Sequence, residues 1–377
     1  MSQNPPSVLI AAFSGRALAA SARRARYAPL VADAFGDADT REIAVAFEVL
    51  PRASERGFRA GELQAALERL AQSAATPPLG LVLGAGFEDA PGLVAKLADR
   101  FPLLGCSAAT ISHAKDPLRL MALLRDLGIA APETSIAPPP DGTGWLSKRI
   151  GGSGGGHVAI CRAAVNGQSG RYYQRRVDGE LVSMLGVMRG RRAAFAFTTQ
   201  WCNPMPRRPF RFGGIAGPVD IDPDLEARLV DIGLDVGAAL GLVGLVSFDF
   251  VVANGEPHLV DVNPRPSASL DVLDDAEGTL FKAHVAACVG DDPAAILTRD
   301  WRPRRAAAMR YVYADLGDFT APALDWPQWT SDRPLHATHI RRYQPVATVH
   351  AAGVTLADVK RSLADRTREL EGLLFQA

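Results

Sequence analysis

Apolar residues along this chain follow two rhythms. Short unbroken runs such as Val8-Leu-Ile-Ala-Ala-Phe13 and Gly80-Leu-Val-Leu-Gly84 read as buried strands. Residues 62–73 repeat apolar positions at helical spacing, the Ala/Arg-rich stretch after Ser14-Gly15-Arg16 reads as a helix, and 91–100 opens a helix on Pro91. Strands alternating with helices predict an open parallel α/β sheet that ends near Thr110. A helix begins near Pro117 and stops at Gly128, with Lys115 at its N-terminal end, where its charge opposes the helix dipole unless an anion sits there. After a proline-rich linker at 138–142, residues 145–150 and 157–161 read as strands around the loop Gly151-Gly-Ser-Gly-Gly-Gly156. Residues 171–185 predict two strands about a turn at Asp178-Gly179. Residues 201–212, with three prolines, form an irregular loop, and 212–218 is glycine-rich chain that can approach a substrate closely. Helices follow at 222–242 and beyond Gly278, then strands at 306–314 and 336–349 and an amphipathic helix at 355–374 capped by Thr355.

The stretch from Ser247 to Pro266 organises the rest. Two β-branched runs flank Asn254-Gly255, which tolerates positive φ, so the stretch predicts a hairpin with Asp249 in one strand and Asp261 in the other. Side chains alternate faces, so Asp249 shares a face with Val251, and Asp261 with Leu259 and Asn263. A two-residue turn would pair Asp249 with Val260 and point the carboxylates apart; a three-residue loop, Asn254-Gly255-Glu256, would pair Asp249 with Asp261. The three-residue loop is the expectation. Like charges facing each other destabilise a sheet, so that register implies a cation between them. Asp249, Asp261 and Asn263 are hard oxygen ligands, suited to Mg²⁺ or Mn²⁺ rather than zinc.

Composition narrows the class. The chain has 377 residues and 41 basic against 41 acidic side chains, so no global field favours nucleic acid or an anionic membrane. Cys106, Cys161, Cys202 and Cys288 lack C-x-x-C spacing and read as free thiols of a reducing compartment. The N-terminus has no basic region before its apolar run, and no run is long enough to span a bilayer, so a cytoplasmic protein is expected. Gly84-Ala-Gly86 is not a dinucleotide fingerprint, because Asp89 stands where a third glycine is needed. Nor is 151–156 a Walker A loop, since Lys148 precedes the glycines. The loop instead suits a flap whose backbone N–H groups close over phosphates, with Lys148 on the preceding strand as a point charge. Arg171, Arg175, Arg176, Arg189, Arg191, Arg192, Arg207, Arg208 and Arg211 suggest a local basic surface for an acidic small molecule. No Ser-His-Asp or Cys-His arrangement stands out.

Lys115, Lys148, the glycine loop, the Gln174 strand, Asp249 and the ending Asp261-Val-Asn-Pro-Arg265 occur in an order that resembles the ATP-grasp superfamily from Ser112 to about Pro266. The resemblance implies a mixed α/β and α+β chain: an N-terminal domain at 1–110, a lid part with the glycine loop at 111–186, a metal-binding part at 187–299 and a small C-terminal α+β tail at 300–377. It implies ATP, with Lys115 and Lys148 on its phosphates, Gly152, Ser153, Gly154, Gly155, Gly156 and His157 as the flap, Gln174, Arg175, Arg176 and Val177 as the hinge beside adenine, and Glu180 on the ribose. Asp249, Asp261 and Asn263 would ligate Mg²⁺ or Mn²⁺, and Arg265, with Lys148, would steady the transferring group. The chain departs from the family where both metal carboxylates are Asp rather than the commoner Glu, and where Gln174 replaces a hinge Glu. The activity implied is an ADP-forming carboxylate–amine ligase acting through an acyl phosphate on small-molecule substrates. Glutamate in one-carbon cofactor synthesis is one expectation for the acid; a non-catalytic ATP-binding scaffold and a carboxykinase or biotin-carboxylase-like enzyme are the alternatives. Neither nucleic acid nor a membrane is an expected partner, and a homo-oligomer is compatible with this reading.

Overall fold

The computed structural model describes residues 5–161, 167–298, 301–303 and 305–375. Its N-terminal sheet is parallel, in the order Ala46–Val49, Ala28–Asp33, Ser7–Ala12 and Leu81–Leu83. Alternation sends Val8 and Ile10 to one core, with Leu18, Ala19 and Ala22, and Leu9 and Ala11 to another, with Leu63, Leu67 and Leu70. Burial on both faces is why the run from Val8 to Phe13 is unbroken rather than alternating.

The second sheet is antiparallel and eight-stranded, in the order Glu256–Asn263, Val243–Ala253, Glu180–Arg189, Arg192–Cys202, Phe212–Gly217, Ala306–Tyr313, Pro345–Gly353 and Thr330–Ser331. Strand Glu180–Arg189 packs Val182, Met184 and Met188 into the core that holds Leu9, and Leu185 and Val187 into the core that holds Val8. The two sheets therefore share both cores.

Three expectations about connectivity change here. Asp178-Gly179 is not a hairpin turn: Arg171–Arg175 belongs to a four-stranded sheet with Thr134–Ser135, Trp145–Arg149 and Ala159–Ile160, and Glu180–Arg189 to the large sheet, so 176–179 crosses between sheets. The glycine-rich stretch Phe212–Gly217 is a strand, paired with Arg192–Cys202 and Ala306–Tyr313. Missing side chains let Trp201 lie over it: a Cβ on Gly214 would meet the indole at 2.3 Å. Finally, the strands expected in a separate tail extend the large sheet, and helix Leu356–Phe375 covers them with Val359, Leu363, Leu370 and Leu374. Among the described residues the smaller sheet closes on a core of Trp145, Cys161 and Tyr173.

Candidate active site

The hairpin keeps the expected facing pair by a different route. Ala253 pairs with Glu256, so Asn254 and Gly255, at φ 52° and 76°, form a two-residue turn and not the three-residue loop. The register then shifts between Asp249 and Phe250: Phe250 pairs with Leu259, Asp249 pairs with Asp261, and Val260 is the extra residue of a β-bulge. Leu259 stays with Phe250 and Phe248 in the core, so it does not share Asp261's face as alternation had implied. The bulge turns Asp261 and Asn263 to the face of Asp249. Ser183 continues the row on the next strand and donates to Asp249 Oδ1 at 2.7 Å. Asn263 Nδ2 donates to Asp249 Oδ2 at 3.1 Å. Burial, and then Asp261, raise the pKa of Asp249.

Lys115 enters from an unexpected direction. It is the last residue of helix Ala108–Lys115, and Asp116 caps the next helix, Pro117–Asp126, by accepting from the amides of Leu118 and Arg119. Its charge thus favours the dipole at a helix C-terminus rather than opposing one at an N-terminus. Lys115 Nζ donates to Asp261 Oδ1 at 2.8 Å and Asn263 Oδ1 at 3.2 Å, a cation bound to the acidic row. Lys148 Nζ donates to Gln174 Oε1 at 3.0 Å and to the carbonyl of the bulged Val260 at 3.3 Å. Burial lowers the Lys148 pKa against the pull of Asp261 and Asp249.

The glycine loop lies against strand Phe212–Gly217, with Phe212 N donating to Gly154 O at 2.9 Å. Gly155, at φ +69°, comes so close to Phe210 that a Cβ would sit 1.9 Å from its carbonyl oxygen. Arg171 ties the base of the loop together by donating to Ser147 Oγ, Ser147 O and His157 O at 2.7, 2.8 and 2.9 Å. His157 packs on Gly152, its Nδ1 is 3.3 Å from Ser153 O, and burial holds its pKa down to about 4, so the ring is neutral at pH 7. Gly152, Ser153, Gly154, Gly155 and His157 line the main cavity of about 660 Å³, whereas Gly156 does not.

Gln174, Arg175, Arg176 and Val177 also line the cavity. Gln174 is buried between Lys148 and Thr134, Arg175 lies over the Trp145 ring and donates to Thr143 O at 2.8 Å, and Arg176 pairs with Asp178 at 2.8 Å. Glu180 is exposed and stands outside the lining: alternation sends Leu181 and Ser183 inward, which leaves the expected ribose contact without geometry to support it. The expected basic surface is also dispersed, since Arg191, Arg192 and Arg211 pair separately with Asp235, Asp292 and Asp315, and Arg189 donates to Ala287 O.

Arg265 has a partner that sequence reasoning missed. Its Nε donates to Glu88 Oε1 at 2.5 Å, and Glu88 Oε2 accepts from the amides of Gly86 and Phe87 at 2.8 and 2.9 Å. Burial opposes the charge on Glu88, but Arg265, Lys115 and the Gly86 amide hold its carboxyl down to about 2. The available signal was a lone acid beside the Gly84-Ala-Gly86 turn, which follows a parallel strand. Asp332 and Tyr311, from the supposed tail, also line the cavity.

Among the described residues no group of three or more His, Cys, Asp or Glu is placed to hold a metal. A Mg²⁺ ion that keeps waters and takes phosphate oxygens needs only one or two carboxylates, so the Asp249, Asp261 and Asn263 set, already holding the Lys115 ammonium, fits an ion that arrives with a nucleotide.

The profile of the ATP-grasp domain matches residues 114–269. The carbamoyl phosphate synthase large chain of Deinococcus deserti is 24% identical over 223 residues, covering 53% of this chain and 22% of that protein. This chain therefore spans about a fifth of the length of the curated relatives it matches. Among solved structures, L-amino acid ligase from Bacillus licheniformis superposes with a TM-score of 0.71 at 14% identity, over 97% of this chain and 98% of that one. N5-carboxyaminoimidazole ribonucleotide synthetase from Thermus thermophilus does so with a TM-score of 0.68 at 18% identity, over 96% and 98%. Residues 114–269, which hold the bulged hairpin, both lysines and the glycine loop, match the ATP-grasp domain, and the solved structures share the fold over nearly the whole chain.

Proposed function

We propose that this chain is an ATP-dependent, ADP-forming ligase that joins a small carboxylic acid to an amine. The observation that carries this reading is the facing pair Asp249 and Asp261, with Asp261 bonded to Lys115, Lys148 on the adjoining Val260 carbonyl and Arg265 beside Asn263. A site that only bound nucleotide would have little use for an acidic row and an anchored arginine in the same cavity. Asp249, Asp261 and Asn263 would hold Mg²⁺, which when bound neutralises charge on the phosphate oxygens.

In the reaction, a substrate carboxylate oxygen attacks the γ-phosphorus of ATP, the bond from that phosphorus to the bridging oxygen breaks, and ADP leaves. An uncharged amine then attacks the acyl carbonyl, the carbon–oxygen bond to phosphate breaks, and the amine gives up a proton. No side-chain nucleophile is needed; positioning and charge neutralisation do the catalysis. Lys148 and Lys115 supply positive charge beside the phosphates, the flap excludes water, and Arg265, held by Glu88, meets the acyl phosphate oxygens. The glutamate reading of the acid rests on the family resemblance, because Arg189, Arg191, Arg192 and Arg211 of the basic surface expected to bind it are engaged elsewhere.

The test is ADP release from ATP and Mg²⁺ in the presence of a matrix of acids and amines. Turnover that needs both partners, and that falls by at least about a hundredfold in Asp261→Ala, is expected. Tight ATP binding with no release for any pair would leave a nucleotide-binding scaffold instead.

A further inference from the structure

The other end of the cavity is built around Arg16, a buried residue at the start of helix Arg16–Arg24. Its guanidinium is spent on carboxylates: NH1 donates to Asp271 at 2.7 Å, NH2 to the same group, and Nε and NH2 to Asp332 at 3.2 and 3.1 Å. Asp332 also accepts from Ser14 at 3.1 Å and from Thr348 at 2.5 Å. Asp39 accepts from the amides of residues 332 and 333, and Asp33 from the amides of Gly15 and Gly36. Every one of these four carboxylates has its partners.

Asp37 does not. It stands at the N-cap of helix Ala38–Ile43, yet its side chain accepts no cap hydrogen bond, and among the described residues its carboxyl has no hydrogen-bond or ion-pair partner. It is only 8% exposed and lies on the cavity wall with Asp332 and Asp271. An Asp at this position normally turns back onto the helix amides. Here it faces the cavity. Five carboxylates, Asp33, Asp37, Asp39, Asp271 and Asp332, gather about two guanidiniums, Arg16 and Arg333. Burial, then Asp332, Asp33 and Asp39, push the Asp37 carboxyl up against the pull of Arg16, so a cation arriving beside it would stabilise its charged form.

We propose that this end of the cavity is a cation subsite in which Asp37, beside Asp332 and Asp271, receives a protonated primary or secondary amino group of the substrate. A metal fits poorly, because Asp271 and Asp332 already give their oxygens to Arg16 and no metal-holding group is present among the described residues. An anion fits worse, because Arg16 is covered by both carboxylates. Phe13, Phe35 and Tyr311 line the same end and suit the apolar body of an amine, with ring faces that attract a cation. The inference rests on the ligase reading only in taking the ligand to be a substrate of that reaction.

Binding to the full chain without nucleotide tests it independently of turnover. Calorimetry and thermal shift would compare 1,5-diaminopentane with 1,5-pentanediol and glutarate, and benzylamine with benzyl alcohol. Each amine is expected to bind at least about tenfold tighter than its neutral isostere, with glutarate inert. Asp37→Asn is expected to melt no lower than the parent, because a neutral isostere replaces a carboxyl that no cation compensates, and to lose the preference for amines while binding a non-hydrolysable ATP analogue as before. Asp37→Lys, which places a cation in the subsite, should keep the fold and block the amines. Equal binding of diamine and diol, preferential binding of glutarate, or amine binding retained by Asp37→Asn would each overturn the proposal and leave the ligase reading standing. Absence of ADP release together with amine selectivity would do the reverse.

Discussion

At the scale of single residues, Glu88 is the side chain whose position says most about Arg265. It carries no contact to a transferring group, yet it fixes the Arg265 guanidinium from the N-terminal sheet while backbone amides fix Glu88 itself. A charge-assisted pair at this burial aligns its partner, and removing the charge leaves Arg265 with the Pro266 carbonyl and a 3.5 Å contact to Asn263. Glu88→Gln is therefore expected to lower kcat by roughly tenfold to a hundredfold with little change in the KM for ATP. A steady-state kcat and KM split checks this; a rise in KM for ATP at constant kcat would show that Glu88 shapes the nucleotide site instead. The depressed carboxyl also has a sign: Glu88 adds stability above its unfolded pKa, and that contribution is lost as pH falls through about 2.

Among elements, the hairpin shows how one extra residue sets chemistry. A tight Asn254-Gly255 turn followed by strict alternation would face Asp249 with Val260 and send Asp261 into the core side. The bulge at Val260 reverses this for the last part of the strand and leaves a carbonyl free for Lys148. Deleting Val260 joins Asp261 to Leu259 and pairs it with Asp249 by strict alternation, so the facing pair survives while the bulged carbonyl that Lys148 uses is lost. The shortened protein is expected to keep a cooperative melt, lowered by about 1–3 kcal/mol, and to keep Mg²⁺-dependent ATP binding, measured by calorimetry. Loss of that binding in a folded protein would mean that the facing of the two carboxylates is not what makes the metal floor.

For the whole molecule, the C-terminal residues behave as part of the body. Strand Ala306–Tyr313 is hydrogen-bonded to Phe212–Gly217, and Met309 enters the core that holds Val8. A chain ended at residue 300 would expose the free edge of Phe212–Gly217 and the apolar residues covered by the later strands, and would lose Asp332 and Tyr311 from the cavity. Such a truncation is expected to aggregate on expression; a soluble monomer with native near-ultraviolet circular dichroism would contradict this. No helix among the described residues is long and apolar enough to cross a membrane.

The sequence by itself determined the local pieces: the parallel strands Ser7–Ala12 and Leu81–Leu83 from their unbroken apolar runs, the helix that opens on Pro223, and the glycine-rich loop between two strands. These rest on interactions between near neighbours, which spacing records directly. Only the tertiary structure decided the bulge, because a register shift depends on which core Leu259 and Phe250 enter rather than on the turn alone. It also decided which end of a helix Lys115 occupies, which arginines are already paired, and that Glu88 meets Arg265. The same holds for Asp37, Asp271 and Asp332, drawn from three distant segments: no local pattern marks a charge whose meaning depends on how few partners surround it.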